Sequence, residues 1–457
     1  MAEIFTLICL RVPIMRASEF VVAIMLRSSI CLLLMLVPLA LRAGEPAPAP
    51  KAGVSMTEIR RFTAVFDLIK QAYVDPVNDK TLMQSAIRGM LAGLDPHSEY
   101  LDQTGVQALN EDTSGSYDGL GIEVITLNGA LRVIAPIDDT PAARAGIKPG
   151  DIIVRIDGTA ITSENASQAV DLLRGKAGTK VKLSILHEGA SVPEDYTLTR
   201  EVIRVASVRV RELEPGYVYI RVVQFQEDTG NELRNKLGKL LAKEHPLRGA
   251  VLDLRSNPGG LLTSAVEISD DFLDAGVIVT TRGRLKQADL SFSATPGDLL
   301  DGAPLVVLVD NGTASAAEIV TGALKDNHRA LVMGRRTFGK GSVQTVLPLD
   351  DTHAVKLTTA RYYTPDGTSI QAAGIAPDIE LADLKLTVRN APPSLVRGER
   401  DLPNHLKGEL EGEKNNERDG ASDGLLDDYA LNEALIVLKG MALRRPPPAA
   451  PAAPSAH

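Results

Sequence analysis

The sequence predicts an α/β core preceded by a small β-rich module and, before that, a helical region. Three observations lead there. From residue 216 onward strands and helices alternate: a strand over 216–225, an amphipathic helix over 228–244 through Leu233, Leu237 and Leu241, a buried strand over 248–254 and a helix over 261–273. Such alternation argues for layers of helix on sheet. Residues 304–310 read Pro-Leu-Val-Val-Leu-Val-Asp, a continuous apolar run of the kind buried on both faces of a sheet. Residues 105–200, in contrast, hold short strands separated by turn signals, with a single helix of any length at 163–174.

At 457 residues the chain has room for two or three domains, and its net charge of −9 argues against nucleic acid as a partner. Residues 1–43 have the layout of a targeting segment. Arg27 precedes an apolar run at 30–41, and Ala43 is a small residue suited to cleavage. The run falls short of the ~20 apolar residues needed to span a bilayer. The segment is either a cleaved signal or an uncleaved anchor, and translation starts at Met1 or at Met25. Both cysteines, Cys9 and Cys31, fall inside it, so the mature chain is expected to have no disulfide. These features place the protein in the periplasm or cell envelope. Residues 44–53 form a Pro/Ala linker.

The helical region covers 54–104. Ser55-Met56-Thr57-Glu58 has the form of a capping box, and Ile59, Phe62, Phe66, Ile69 and Tyr73 follow at helical spacing. A second helix spans about 80–94, and Gly93-Leu94-Asp95-Pro96-His97-Ser98 is a turn in which His97 is expected to bond locally. In the β-rich module, Gly119-Leu120-Gly121-Ile122 opens a strand, and Asp157-Gly158 is a hairpin signal. Arg174 ends the 163–174 helix. The core occupies 201–384, a polar flexible segment 385–424, a helix 425–443 and a Pro/Ala tail 444–457.

Chemistry concentrates at 311–344. Ser315 stands where a buried strand hands over to a helix expected from Ala314 to Lys325, so its side chain is exposed and the first helical N–H groups point toward it. A serine needs a base. His328 and His353 lie in polar surroundings without an orienting carboxylate at a recognisable spacing. Lys340, between Gly339 and Gly341 and flanked by apolar residues, is the better candidate, because burial lowers a lysine pKa. Gln344 lies on the same face of the following strand and can orient it. Gly334 to Lys340 imitates a phosphate-binding loop, but Gly341 stands where Ser or Thr is required and a strand follows instead of a helix. The Asn257-Pro258-Gly259-Gly260 turn ends a strand, at the edge where such sheets bind ligands. The N–H groups of Gly259 and Gly260, with that of Ala316, can hold an oxyanion.

Ser315, a lysine 25 residues on and a glutamine four beyond it resemble the carboxyl-terminal processing proteases, a serine–lysine peptidase family (S41) with an embedded PDZ domain. The resemblance covers about residues 54–380 and includes Gly374-Ile375-Ala376-Pro377-Asp378 as a closing motif. It implies a ClpP/crotonase-like core, a PDZ domain at 105–200 whose Gly119–Ile122 loop takes a peptide carboxylate, and an oxyanion hole at the Asn-Pro-Gly-Gly turn. It further implies a dimerising helical region and Arg174 as a link between PDZ domain and protease. It implies neither metal nor cofactor. Asp326 falls where some accounts of the family place a supporting acid, although helix geometry does not oblige it to reach Lys340. The implied function is a secreted or periplasmic serine endopeptidase that acts on proteins through their C-termini, as a homo-oligomer and with room for an activating adaptor. The alternative is a catalytically silent PDZ scaffold.

Overall fold

The computed structural model describes residues 53–127, 129–242, 246–382, 384 and 428–444. The expected signal or anchor, nearly all of the linker, the polar segment 385–424 and the tail beyond Arg444 lie outside the described residues. Two compact units divide the chain, Met1–Ser85 and Ala86–His457. The first carries α1 (Met56–Ala72), which begins where Ser55 Oγ accepts the Glu58 N–H at 3.2 Å. Helix α2 (Asp79–Ala92) starts in this unit, with Lys70 paired to Asp79 at 2.8 Å. Ile59, Phe62, Val65 and Leu68 of α1 remain exposed. Among the described residues no helix is long and apolar enough to cross a membrane.

The second unit continues with β1 (Glu99–Leu101) and α3 (Gln103–Ser114). The sequence reading missed this helix and began the β-rich module at 105. Only Val106 and Leu109 mark an apolar face, but Asp102 caps it by accepting the Gly105 N–H at 3.1 Å, and Gly115 closes it in the left-handed region. The module proper comprises β2 (Ser116–Gly119), β3 (Ile122–Leu127), β4 (Ala130–Pro136), α4 (Pro141–Arg144), β5 (Ile152–Ile156), β6 (Thr159–Ala160), α5 (Ala166–Leu173), β7 (Lys180–Leu186) and β8 (Glu194–Thr199). Its sheet runs β3-β4-β5-β7-β8, with β6 on β5. Leu131, Ile153, Leu183 and Ile185 are fully buried inside it. Strand β9 (Glu201–Arg204) returns antiparallel to β2.

The core follows as β10 (Val208–Glu214), β11 (Tyr217–Val222), α6 (Thr229–Leu241), β12 (Gly249–Asp253), α7 (Leu262–Asp270), β13 (Val277–Gly283), β14 (Ser291–Ser293), β15 (Leu305–Val309), α8 (Ala316–Asp326), β16 (Leu331–Gly334), β17 (Ser342–Pro348), β18 (Ala354–Tyr363), β19 (Ile379–Glu380) and α9 (Tyr429–Leu443). One sheet has the order β10-β11-β12-β15-β16-β19 and is parallel from β11 to β19. Leu305, Val307 and Val309 of β15 pack on α6, α7 and α8, while Val306 and Leu308 face α9 on the other side. Burial on both faces explains the unbroken apolar run. Each such side chain contributes ~1.5–3 kcal/mol, so β15 is a rigid base for the residues that follow it. A second sheet, β1-β18-β13-β14 with β17 on β18, is antiparallel.

Candidate active site

The turn between β15 and α8 is stitched to the end of β12 before it reaches Ser315. Asp310 accepts the backbone N–H groups of Ser256 (2.7 Å) and Gly312 (2.9 Å), Thr313 Oγ1 donates to the Leu254 carbonyl (2.8 Å), and the Ala314 N–H donates to the Asn257 carbonyl (2.9 Å). Burial works to raise the Asp310 carboxyl, but the Ser256 and Gly312 donors hold it below the usual carboxylate range. Ser315 then adopts φ 57° and ψ −118°, a region that costs a non-glycine residue about 1–3 kcal/mol and persists only where its surroundings impose it. The constraint is Glu318, which accepts the Ser315 N–H at 2.9 Å.

Glu318 does more than cap α8. It is fully buried, and its carboxylate also accepts Thr337 Oγ1 (2.5 Å) and the backbone N–H groups of Gly339 (2.8 Å) and Lys340 (2.8 Å). One side chain therefore fixes the serine turn and the lysine turn against each other. Gly339 makes this possible, since its φ is +92° and a Cβ there would lie 2.9 Å from the Gly374 nitrogen. The sequence reading gave Glu318 no role in the site. A fully apolar flank on both sides of a glutamate, together with the three-residue spacing from an N-cap serine, was the available signal.

Ser315, Lys340 and Gln344 line one cavity of about 630 Å³. Burial lowers the Lys340 pKa, the Lys356 ammonium lowers it further, and Asp95 opposes both. Lys340 makes no amine hydrogen bond among the described residues. Gln344 Nε2 donates to Ser342 Oγ (3.0 Å) and Thr358 Oγ1 (3.2 Å), and not to the lysine. Tyr362 lines the cavity beside Ser315, whose hydroxyl works against the burial that raises the phenol's pKa, and the phenol's own proton goes to the Lys340 carbonyl. Tyr362 is a cavity residue that sequence reasoning missed, because nothing in a strand pattern says which aromatic will face a site.

The glycine turn differs in one respect from expectation. The Gly259 N–H is occupied by Asn257 Oδ1 at 2.9 Å, with Asn257 held in turn on the Val222 carbonyl at 2.9 Å. The N–H groups of Gly260 and Ala316 have no partner among the described residues. Gly260 must be glycine, since its φ is +137° and a Cβ would fall 2.1 Å from the Phe225 carbonyl oxygen. Beneath the turn, Arg255 binds Asp253 and also Asp428, the N-cap of α9, at 2.6 and 2.7 Å. The C-terminal helix thus anchors the strand end that presents the turn.

Asp326 is not brought to the site. It ends α8, an 11-residue helix, so that it sits ~15 Å along the axis from Ser315, where it accepts the Asp366 N–H at 3.2 Å. His353 does have a carboxylate, Asp350, at 2.9 Å, contrary to the sequence reading, but it stacks on Tyr100 and does not line the cavity. Among the described residues no group of three or more His, Cys, Asp or Glu is placed to hold a metal ion.

The chain is similar to known families and proteins. Residues 216–381 match the model of peptidase family S41, 119–194 match that of the PDZ domain, and 44–105 match that of the activating protease CtpB N-terminal domain. A carboxy-terminal-processing protease of Bartonella bacilliformis is 42% identical over 386 residues, covering 84% of this chain and 88% of that protein. This chain belongs to peptidase family S41. The carboxy-terminal processing protease CtpA of Bacillus subtilis is 36% identical over 330 residues, covering 72% of this chain and 70% of that protein. Among solved structures, a photosystem II D1 C-terminal processing protease is 33% identical, covers 72% of this chain and 94% of that one, and superposes with a TM-score of 0.42.

The PDZ domain of this S41 peptidase has a groove of about 220 Å³ lined by Leu120, Gly121 and Ile122, with Tyr117 and Arg174 at its edge. Gly119, included in the expected loop, instead pairs with Glu201 in β2 and does not line the groove. Arg174 lies 5.2 Å over the Tyr117 ring and pairs with Glu111 of α3 at 2.5 Å. Three other α3 residues, Leu109, Asp112 and Thr113, line the Ser315 cavity.

The electrostatics of the peptidase site predict its pH response. A base must be neutral to accept a proton, so with Lys340 as the candidate base, activity is expected to rise as it deprotonates, along a limb below the ~10.4 of an ordinary lysine. Removing Lys356 removes a charge that disfavours the ammonium, which raises the Lys340 pKa. Lys356→Met is therefore expected to move the rising limb of kcat to higher pH. A limb that stays in place or moves down would contradict this.

Proposed function

We propose that this S41 peptidase works in the cell envelope, seats the free C-terminus of a protein substrate in the PDZ groove and cleaves it with Ser315 as nucleophile and Lys340 as base. The observation that carries the reading is the placement of Ser315, Lys340 and Gln344 around one cavity, beside the N–H groups of Gly260 and Ala316, which have no partner among the described residues. Ser315 Oγ gives its proton to neutral Lys340 and attacks the substrate carbonyl. The oxyanion is taken by the Gly260 and Ala316 N–H groups at the start of α8, where the helix dipole favours negative charge. Gly259 joins them only if Asn257 releases its N–H. Lys340 then protonates the leaving amine, and water completes the cycle through the same base. Gln344 orients the lysine.

Two further parts belong to the reading. The core is of ClpP/crotonase type, supported by a parallel sheet backed by α6, α7 and α8 with a second sheet beside them. The exposed apolar residues of α1 favour a homo-oligomer, and the reading includes an activating adaptor protein. The apolar run at 30–41 supports export.

A serine-directed fluorophosphonate tests the catalytic part. It should label the wild-type chain and not Ser315→Ala, and labelling of both, or of neither, would defeat the assignment. Arg174 tests the link between domains. The Arg174–Glu111 pair joins the groove to α3, and α3 reaches the cavity. Arg174→Ala is expected to lower kcat on a protein substrate about tenfold, by loss of the population with an open site, beyond any change in peptide affinity at the groove edge it lines. Wild-type cleavage by this variant would remove Arg174 from the mechanism.

A further inference from the structure

The donors and acceptors around Thr358 decide a matter that spacing leaves open, namely which way the Gln344 amide faces. In the turn before β1, Asp95 accepts the N–H groups of His97 (2.8 Å) and Ser98 (3.0 Å) and the Ser98 hydroxyl (2.7 Å). Strand β1 pairs with β18, Glu99 opposite Lys356, and this sets the turn beside Thr358. The Thr358 N–H donates to Ser98 Oγ at 3.1 Å, and the Thr358 hydroxyl donates to Asp95 Oδ1 at 3.1 Å.

A carboxylate only accepts, so the one hydroxyl proton of Thr358 is committed to Asp95 and its oxygen is left as an acceptor. Gln344, 3.2 Å from that oxygen, must present its NH2 group there. The same NH2 meets Ser342 Oγ at 3.0 Å. The amide oxygen is thereby turned from both, and it has no partner among the described residues. Lys340, which lines the same cavity, has an amine that is likewise unpartnered. The arrangement holds while Asp95 is ionised. Burial works against that, but the donors of Ser98, His97 and Thr358 keep its carboxyl below the usual range.

We propose that Asp95 and Thr358 are positioning residues for the reaction, a directed hydrogen-bond chain that holds the Gln344 amide oxygen available to the Lys340 amine. An N–H of neutral Lys340 donated to that oxygen leaves the nitrogen lone pair free for the Ser315 proton. The turn at 94–98, far from Gln344 in sequence, is then part of the catalytic apparatus, and the seating of β1 on β18 controls it. This rests on the serine–lysine reading above.

The test is steady-state kinetics of the full chain on an unstructured reporter protein with an apolar free C-terminus. Thr358→Val keeps the shape of the side chain and removes the hydroxyl, Thr358→Ser keeps the hydroxyl, and Asp95→Asn removes the obligate acceptor. Thr358→Val and Asp95→Asn should each lower kcat about 10–100-fold with KM changed less than about threefold, and Thr358→Ser should recover most of the loss. Neither should lower kcat further once Gln344→Ala is present. Circular dichroism checks folding, and if Asp95→Asn does not fold, the Val and Ser variants at 358 decide the matter. Wild-type kcat in folded Thr358→Val, equal losses in the Val and Ser variants, or full additivity with Gln344→Ala would overturn the proposal. Wild-type cleavage by Ser315→Ala would instead overturn the serine–lysine reading.

Discussion

Ser315→Ala and Lys340→Ala are each expected to lower kcat by about four to six orders of magnitude, and the double variant to be no worse than either single one. In the proposed mechanism the nucleophile and base form a unit. Without the hydroxyl the lysine has no proton to take, and without the amine the serine keeps its proton at neutral pH. Neither change should unfold the protein. Ser315 is only partly buried, and its removed hydroxyl leaves no buried donor behind, while the strained turn is held by the backbone bond to Glu318 and not by the side chain of Ser315. Loss of the Lys340 amine removes a charge that burial already disfavours. Cleavage assays over long incubation, with thermal melts alongside, check both halves of the statement. Readily measured turnover by either single variant would end the assignment.

Glu318→Ala should be the most damaging change that touches neither reacting atom. Its carboxylate is the acceptor for Thr337 Oγ1 and for the backbone N–H groups of Ser315, Gly339 and Lys340. Each buried donor left unpaired costs about 1–3 kcal/mol, and three of these belong to the backbone and cannot turn away. A loss of several kcal/mol in unfolding free energy is expected by urea titration. In whatever fraction folds, kcat should fall by more than about a hundredfold, because the serine and lysine turns lose the contact that sets their separation. Glu318→Gln separates the two effects. It keeps the volume but brings an NH2 against N–H donors, so it should lose activity while retaining more stability than Glu318→Ala. Equal activity in the Gln variant and the wild type would show that the four-fold contact does not control the site.

Much of this peptidase could be read directly along the chain. The β15 run, the helix after it, the Ser315–Lys340–Gln344 spacing and the glycine turn at 259–260 are local patterns, each set by periodicity, by backbone freedom or by a few neighbours. Helix α3 escaped notice because its apolar face is thin and its caps, Asp102 and Gly115, carry the signal. Asp326 fell to simple geometry, since the far end of an 11-residue helix cannot serve its beginning.

Sequence by itself determined the family and the order of the domains, and it singled out Ser315 and Lys340 as the candidate nucleophile and base, because those rest on residue type and spacing along the chain. Only the tertiary structure decided which groups surround them. That Glu318 ties both turns together, that Asn257 occupies the Gly259 N–H, that Tyr362 faces Ser315 and that Asp95 reaches Gln344 through Thr358 are all matters of partner choice. Hydrogen-bonding groups are generic along a chain, and a donor is matched to its acceptor only when packing brings together residues such as Asp95 and Thr358, whose separation in sequence carries no record of the contact.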